Sequence, residues 1–260
     1  MHLSLSLALG SARGAAGISA PSDLSGLRAW FRGDVTVVTG SGVSQWTDQT
    51  VNAKHVTQAT DASRPPLVNP DARFGNRAAV AFDGTGDFLQ AAAATDWKFL
   101  HDGTGCSILV VFHVTAGTGT VTLIDTLNGT GANVGAEVQV DSTNQKVSVL
   151  FANGGANIIS QSSANSSALN AVSHVFTMAY GEGASPNEYE IRLDRAAVVA
   201  GNSLAAPSAS DPFGALTIGK LHTGGARMRG PIAEVALFNR RLTTAELQQL
   251  ENYCASYYGI

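Results

Sequence analysis

Gly230-Pro-Ile-Ala-Glu-Val-Ala-Leu-Phe-Asn-Arg-Arg-Leu-Thr-Thr-Ala-Glu246 sets a strand directly against the start of a helix. Ile232 to Phe238 is a short, mostly apolar run of strand length. Thr243-Thr-Ala-Glu246 has capping-box spacing: the Thr243 hydroxyl can accept from the Glu246 amide while the Glu246 carboxylate reaches back. Leu247, Leu250, Cys254 and Tyr257/Tyr258 then recur at three- and four-residue steps, an apolar stripe that needs a surface to pack on. The chain ends there, so this region predicts one C-terminal helix lying on a body of strands.

Upstream, the chain supplies those strands. Short β segments separated by Gly, Asn, Asp and Pro are read at Leu27 to Phe31, Val43 to Trp46, Ala78 to Phe82, Phe88 to Ala91 and Ser107 to Val114. More follow at Thr120 to Asp125, Ala136 to Val140, Lys146 to Ala152, His174 to Tyr180, Glu188 to Leu193 and Ala215 to Ile218. Val147-Ser-Val-Leu-Phe151 and Tyr189-Glu-Ile-Arg-Leu193 alternate apolar with polar, which predicts one buried face and one wet face. Ser160 to Ser167 reads as a polar loop. Twenty-eight glycines and only 14% charged residues among 260 fit many tight turns, and no helical period intervenes. The expectation is an all-β, two-sheet antiparallel jelly-roll sandwich with a short C-terminal helix.

The first twenty-two residues stand apart. Leu3, Leu5, Leu7 and Leu9 alternate with small residues, so an extended segment places four leucines on one face. A Gly/Ala/Ser linker follows to Ser22, and the sandwich domain is expected over 23–260. The leucine face is read as an assembly arm, adding a strand to its own domain or to a neighbouring subunit. No Lys or Arg precedes this apolar stretch, so it is not read as an export signal. The longest continuous apolar run, Ile108 to Phe112, is far too short to span a membrane as a helix, so no membrane insertion is expected.

A net charge of −4 and sixteen scattered Lys and Arg residues leave no basic stripe, which argues against nucleic acid. Cys106 and Cys254 allow one bridge or two thiols; both lie in apolar runs, which favours buried thiols.

Several segments resemble a known pattern. Leu27-Arg-Ala-Trp30, Val43-Ser-Gln-Trp-Thr-Asp48, Ala53-Lys-His-Val-Thr-Gln58, Ser63-Arg-Pro-Pro66 and Val80-Ala-Phe-Asp-Gly-Thr-Gly-Asp-Phe-Leu89 resemble bacterial and phage laminin-G-like jelly-roll domains of the concanavalin A-like kind. So do Trp97-Lys-Phe-Leu-His-Asp-Gly103 and the strand-and-helix stretch quoted first, and the likeness runs from about Leu27 to Gly259. The resemblance implies a sandwich that hosts lectins, adhesion modules, hydrolases and virion proteins alike, so function has to come from the site.

The β-glucan-cutting members of that superfamily carry Glu-x-Asp-x-x-Glu on one strand. Neither Glu137-Val-Gln-Val-Asp141 nor Glu188-Tyr-Glu190 with Asp194 has that spacing, and Glu188 and Glu190 read as a solvated outer face. No Gly-x-Ser-x-Gly elbow or phosphate-binding glycine loop occurs. The six histidines are too dispersed for zinc, and His113 and His174 read as core residues. Asp83-Gly-Thr-Gly-Asp87 offers Asp83 and Asp87 as calcium ligands, with tight-turn chemistry as the competing explanation and Asp34, Asp48 and Asp125 as further donors should the fold gather them. Of the sugar-platform suspects, Trp30 and Trp46 fall in apolar segments and Trp97 is expected to be more exposed.

These features predict a non-enzymatic structural or attachment protein with no catalytic residues, such as a phage virion component joined to other subunits through Leu3, Leu5, Leu7 and Leu9. The alternative is a calcium-assisted lectin or adhesin of an extracellular or cell surface, binding glycan through residues the sequence does not identify. A glycoside hydrolase ranks last. An acidic pair facing one groove would revive it.

Overall fold

The computed structural model describes residues 17–117, 119–163, 169–170 and 172–260. The leucine arm, Leu3 to Leu9, lies outside the described residues.

In chain order the strands are β1 (Leu27–Arg32), β2 (Thr36–Thr39), β3 (Gly42–Trp46), β4 (Val56–Thr57), β5 (Leu67–Asp71), β6 (Arg77–Asp83), β7 (Leu89–Ala91), β8 (Cys106–Phe112) and β9 (Thr120–Asp125). They continue with β10 (Val134–Asp141), β11 (Lys146–Asn153), β12 (Asn157–Ser162), β13 (His174–Tyr180), β14 (Tyr189–Leu193), β15 (Ala196–Gly201), β16 (Thr217–Ile218) and β17 (Arg229–Phe238), before helix α1 (Thr244–Tyr258). Two sheets form. One runs β15-β14-β13-β8-β17-β6-β5, with β1 also paired to β17; the other runs β12-β11-β10-β9-β16-β7-β4-β3-β2. Every described pairing is antiparallel. The chain is therefore a two-sheet antiparallel sandwich with one C-terminal helix.

The long strand read first is the hub of its sheet. Ile232 to Phe238 pair with β8, while the opposite edge is shared by β6 along Arg229 to Ile232 and by β1 along Glu234 to Phe238. Between the sheets, Phe31, Trp46, Leu89, Phe112, Phe151, Tyr180 and Leu237 are fully buried. A second apolar layer lies on the other face of the eight-stranded sheet, where Leu247, Leu250, Cys254 and Tyr258 of α1 meet Leu109, Val111, Val175, Ala236 and Phe238. β8 and β17 are thus covered on both faces, which is why their sequences read as near-continuous apolar runs. Each large side chain so buried contributes roughly 1.5–3 kcal/mol.

The capping box forms: Thr243 Oγ1 accepts from the Glu246 amide at 3.2 Å and the Thr243 amide donates to Glu246 Oε2 at 2.9 Å. Cys106 and Cys254 are both free, buried thiols.

Polar groups pin the helix to the sheet. Glu234, fully buried in β17, accepts from Trp30 Nε1 at 2.5 Å, from Tyr258 Oη at 2.8 Å and from Tyr253 Oη at 3.2 Å. Glu251 of α1 accepts from Arg192 Nε at 2.8 Å and from Thr177 Oγ1 at 2.7 Å. Arg192 also donates to Glu190 Oε1 at 2.9 Å, and Thr244 Oγ1 donates to Glu190 Oε2 at 2.6 Å. Glu190 is therefore buried rather than on a solvated face, because α1 covers that side of β14. The expectation failed since strand alternation shows which residues share a face but not what is laid over it.

Trp97 differs too. It sits on a 3-10 turn, Thr95–Leu100, that folds its indole into the main core, 1% exposed. Ser160 to Ser162, read as loop, form the end of β12, paired to Ser148, Val149 and Leu150. Cross-strand pairing supplies the backbone bonds that this polar sequence does not advertise.

Candidate functional site

The eight-stranded sheet has α1 on its outer face, so the open surface of the sandwich lies on the nine-stranded sheet. Its side chains there can be derived from register. Glu137 pairs with Asp125 on one side and Leu150 on the other, and Leu150 pairs with Ser160. Asp125 pairs with Thr217, Thr217 with Gln90, Gln90 with Thr57 and Thr57 with Gln45. Residues opposite one another on paired strands share a face. The flanking Ala136, Val138, Val149, Phe151, Leu216, Ile218, Leu89, Ala91, Val56 and Trp46 all point into the core. The row itself therefore points away from the core, and it is polar except for Leu150.

The segment 219–228 crosses the middle of this row. Gly219 starts it with φ +93, and a Cβ there would lie 2.5 Å from the ring of Phe82, a core residue of β6 in the facing sheet, so only glycine fits at this turn. The His222 amide donates to Asp125 Oδ2 at 2.7 Å, Thr217 Oγ1 donates to the Lys220 carbonyl at 2.8 Å, and the Thr122 amide donates to the Ala226 carbonyl at 2.8 Å. One cleft opens beside the segment and another at the Gln45 and Thr57 end of the row. One, of about 510 Å³, is lined by Glu137, Gln139, Ser148, Leu150, Ser160 and Leu221 among others. The other, of about 390 Å³, includes Gln45, Lys54, His55, Thr57 and Asp96. In the second, Lys54 and Asp96 form an ion pair at 2.9 Å.

The first cleft has an acidic floor. Glu137 is only 3% exposed, and its Oε2 has no hydrogen-bond partner. Burial pushes its carboxyl up to about 8, the Asp125 charge adds to the rise, and the Gly129 amide offsets part of it. Asp125 is also raised, by burial first, against the amides of Asn128, Leu127 and His222. Those amides occupy it: Oδ1 accepts from Leu127 at 2.7 Å and Asn128 at 2.8 Å, and Oδ2 accepts from His222.

Spacing along one strand missed this pair, because Glu137 and Asp125 meet across β9 and β10. The sequence signal was the Glu137-Val-Gln-Val-Asp141 alternation. It placed Glu137 and Gln139 on one face but could not name the neighbour.

Asp83 and Asp87 come together in the turn after β6, and the turn uses them. Asp83 Oδ1 accepts from the amides of Thr85 and Gly86, both at 2.8 Å, and of Asp87 at 3.1 Å; Thr85 Oγ1 donates to Oδ2. These bonds hold the Asp83 carboxyl well below its ordinary range against the opposing effect of burial, while burial and the Asp83 charge push Asp87 up to about 6. Calcium takes six to eight oxygens. Asp34 is paired with Arg32, Asp48 accepts from the amides of Trp30, Thr50 and Lys54, and Asp125 serves the cleft. Among the described residues no group of three or more His, Cys, Asp or Glu side chains is arranged to hold a metal. In this structure Asp83 and Asp87 serve the turn.

Trp30, Trp46 and Trp97 are all buried, so none of them offers a stacking face to a sugar. His174 is buried and bonded through Nδ1 to Asp194 at 2.7 Å, whereas His113 is half-buried.

No family model matches the chain. No curated protein matches it either. Solved structures do. Trypanosoma rangeli sialidase is similar with a TM-score of 0.59 at 15% identity, over 92% of this chain and 35% of that one. The same enzyme in complex with a difluoro-nononic acid is similar with a TM-score of 0.58 at 17% identity, over 90% of this chain and 33% of that one. The chain spans about a third of the length of these sialidases. At such identities the likeness is one of fold: this chain is a β-sandwich of the kind that forms part of those larger proteins.

Proposed function

We propose that the chain is a non-enzymatic carbohydrate-binding module that takes glycan on the outer face of its nine-stranded sheet. The observation that carries this reading is the register-aligned polar row with one cleft beside segment 219–228 and a second at its Gln45 and Thr57 end. Such a surface presents planar amides and hydroxyls in a line, which suits a chain of sugar hydroxyls. Without an exposed tryptophan in the row, recognition rests on hydrogen bonds and on the Leu150 and Leu221 side chains. The wider superfamily resemblance of the sequence and the sandwich fold both accommodate this role.

Glu137 and Asp125 are adjacent acids, yet the arrangement speaks against hydrolysis. A retaining glycosidase needs one carboxylate free to attack the sugar. Asp125 is fully buried with three amides on its oxygens, which leaves Glu137 alone at the cleft. A surface or extracellular setting follows from the proposed ligand. The virion reading drew its support from Leu3, Leu5, Leu7 and Leu9, outside the described residues, and no feature of the sheet face adds to it.

A glycan array probed with the full chain on a multivalent carrier, with and without chelator, tests the proposal. Binding that survives chelation and falls roughly 5- to 150-fold in a Gln139→Ala, Ser148→Ala double variant is expected, since two lost neutral hydrogen bonds cost about 1–3 kcal/mol. No binding to any glycan would overturn it, and release of shortened sugar would return the hydrolase reading.

A further inference from the structure

Resting on that reading of the open face, we propose that the cleft at its Gln45 and Thr57 end recognises a neutral sugar ring by two adjacent hydroxyls, taken side by side on the Lys54–Asp96 ion pair. Gln45, Lys54, His55, Thr57 and Asp96 all line this cleft, and the small Ala92 and Ala93 side chains leave room for a ring. The pair is open to a ligand. Its ammonium and carboxylate lie 2.9 Å apart, and the two side chains keep 39% and 26% of their surface exposed. Among the described residues neither charged group bonds to anything else, so the ammonium keeps N–H donors and the carboxylate keeps lone pairs.

Both members are held in place by their chain neighbours. Buried Asp48 accepts from the amides of Thr50 at 2.9 Å and Lys54 at 2.8 Å, which fixes the turn that carries Lys54. The Asp48 amide donates to His55 Nδ1 at 3.1 Å, so the imidazole proton sits on Nε2, a further donor without a partner among the described residues. Asp96 lies in the 3-10 turn Thr95–Leu100, whose next residue, Trp97, is anchored in the core. Gln45 Nε2 donates to Thr47 Oγ1, which leaves Gln45 Oε1 as an acceptor. A pair set on two anchored loops is preorganised for what it binds.

Hydroxyls on neighbouring ring carbons, when gauche, offer an oxygen that accepts from the Lys54 ammonium beside an O–H that donates to the Asp96 carboxylate. Both bonds are charge-assisted, roughly twice as strong as neutral ones. A hydroxyl without such a neighbour meets only one of the two groups. A sugar carboxylate competes with Asp96 for Lys54, and a sugar ammonium competes with Lys54 for Asp96, so either leaves one member of the pair unmatched. Linkage decides which rings qualify. A 1,4-linked hexose keeps its 2- and 3-hydroxyls free, whereas a 1,3-linked one inside a chain has no adjacent pair.

The test is binding of the full chain, on a multivalent carrier, to an array of 1,4- and 1,3-linked hexasaccharides of glucose, galactose and mannose, with 1,4-linked galacturonic acid alongside. The sugars are attached by their reducing ends and methylated at the linkage position of the other end, so that the 1,3-linked chains carry no free diol. For each sugar that binds, the 1,4-linked form should bind at least about tenfold more tightly, the loss expected for one charge-assisted hydrogen bond. The galacturonic acid chain should be weaker than the neutral 1,4-linked chains that bind. Lys54→Met and Asp96→Ala, both changes at exposed side chains that should leave folding intact, should each bring the two linkages together. A glycan found only on a wider array is put to the same two variants, with at least about a tenfold loss expected in each. Equal affinity for the two linkages, a preference or an affinity unchanged in either variant, or tighter binding of galacturonic acid would overturn the diol reading and leave a glycan-binding protein. Absence of binding to these and to every other glycan would overturn the reading of the open face and this inference with it.

Discussion

Replacing Glu234 by Gln should remove a large pH dependence from the stability of this protein. Glu234 sits in the middle of β17 under α1, fully buried, with Trp30, Tyr253 and Tyr258 donating to it. Burial pushes its carboxyl up to about 7 from 4.5, although those donors and the Arg32 charge pull the other way. The folded state thus holds a proton more tightly than the unfolded chain does. The stabilisation from that proton is fully present below about pH 4.5 and is lost as pH rises through 7. Each pH unit between the two values is worth 2.303RT, so the loss between pH 5 and pH 8 is about 2.5 kcal/mol. For a chain of this size that corresponds to roughly 5–10 °C in melting temperature.

Thermal melts of wild type and Glu234→Gln, followed by near-ultraviolet circular dichroism from pH 5 to 8, make the comparison. Glu137, raised in the same direction, tilts both proteins alike and cancels in the difference. The wild type should lose stability with pH faster than the variant by the amount worked above. Parallel curves would show that Glu234 ionises at ordinary values, and that the three donors fully replace its water.

Glu251→Ala leaves the Arg192 guanidinium, only 4% exposed, without its main partner and should cost about 3–5 kcal/mol in urea unfolding. The Arg192→Met, Glu251→Leu double variant should recover most of that loss; a single variant within about 1 kcal/mol of wild type would show that the ion pair does not fasten the helix. Millimolar calcium should leave the melting temperature unchanged, because the turn already occupies Asp83. A calcium-dependent rise above about 3 °C, near 1 kcal/mol, would mean the Asp83–Asp87 loop binds the ion after all.

What could be read directly from the sequence was local. Alternation in Val147 to Phe151 told which residues face the core, since the pleat has a fixed period of two. Thr243 and Glu246 announced the helix because a capping box closes within four residues. Cys106 and Cys254 read as buried thiols from the apolar runs around them. The same kind of reading failed where tertiary packing intervened: Trp97, expected to be more exposed, is folded into the main core by a 3-10 turn, and Glu190, expected in solvent, lies under α1.

The sequence by itself therefore determined an all-β chain closed by one helix, with twelve of the seventeen described strands placed to within a few residues and β2, β4, β5, β12 and β15 left unread. Only the tertiary structure decided what the open face holds. Glu137 meets Asp125 through register between two strands, and Asp125 is fixed by an amide ninety-seven residues away on segment 219–228. Neither relation has a period or a spacing in the chain, because pairing partners and overlying segments are chosen by the packing of the whole sandwich.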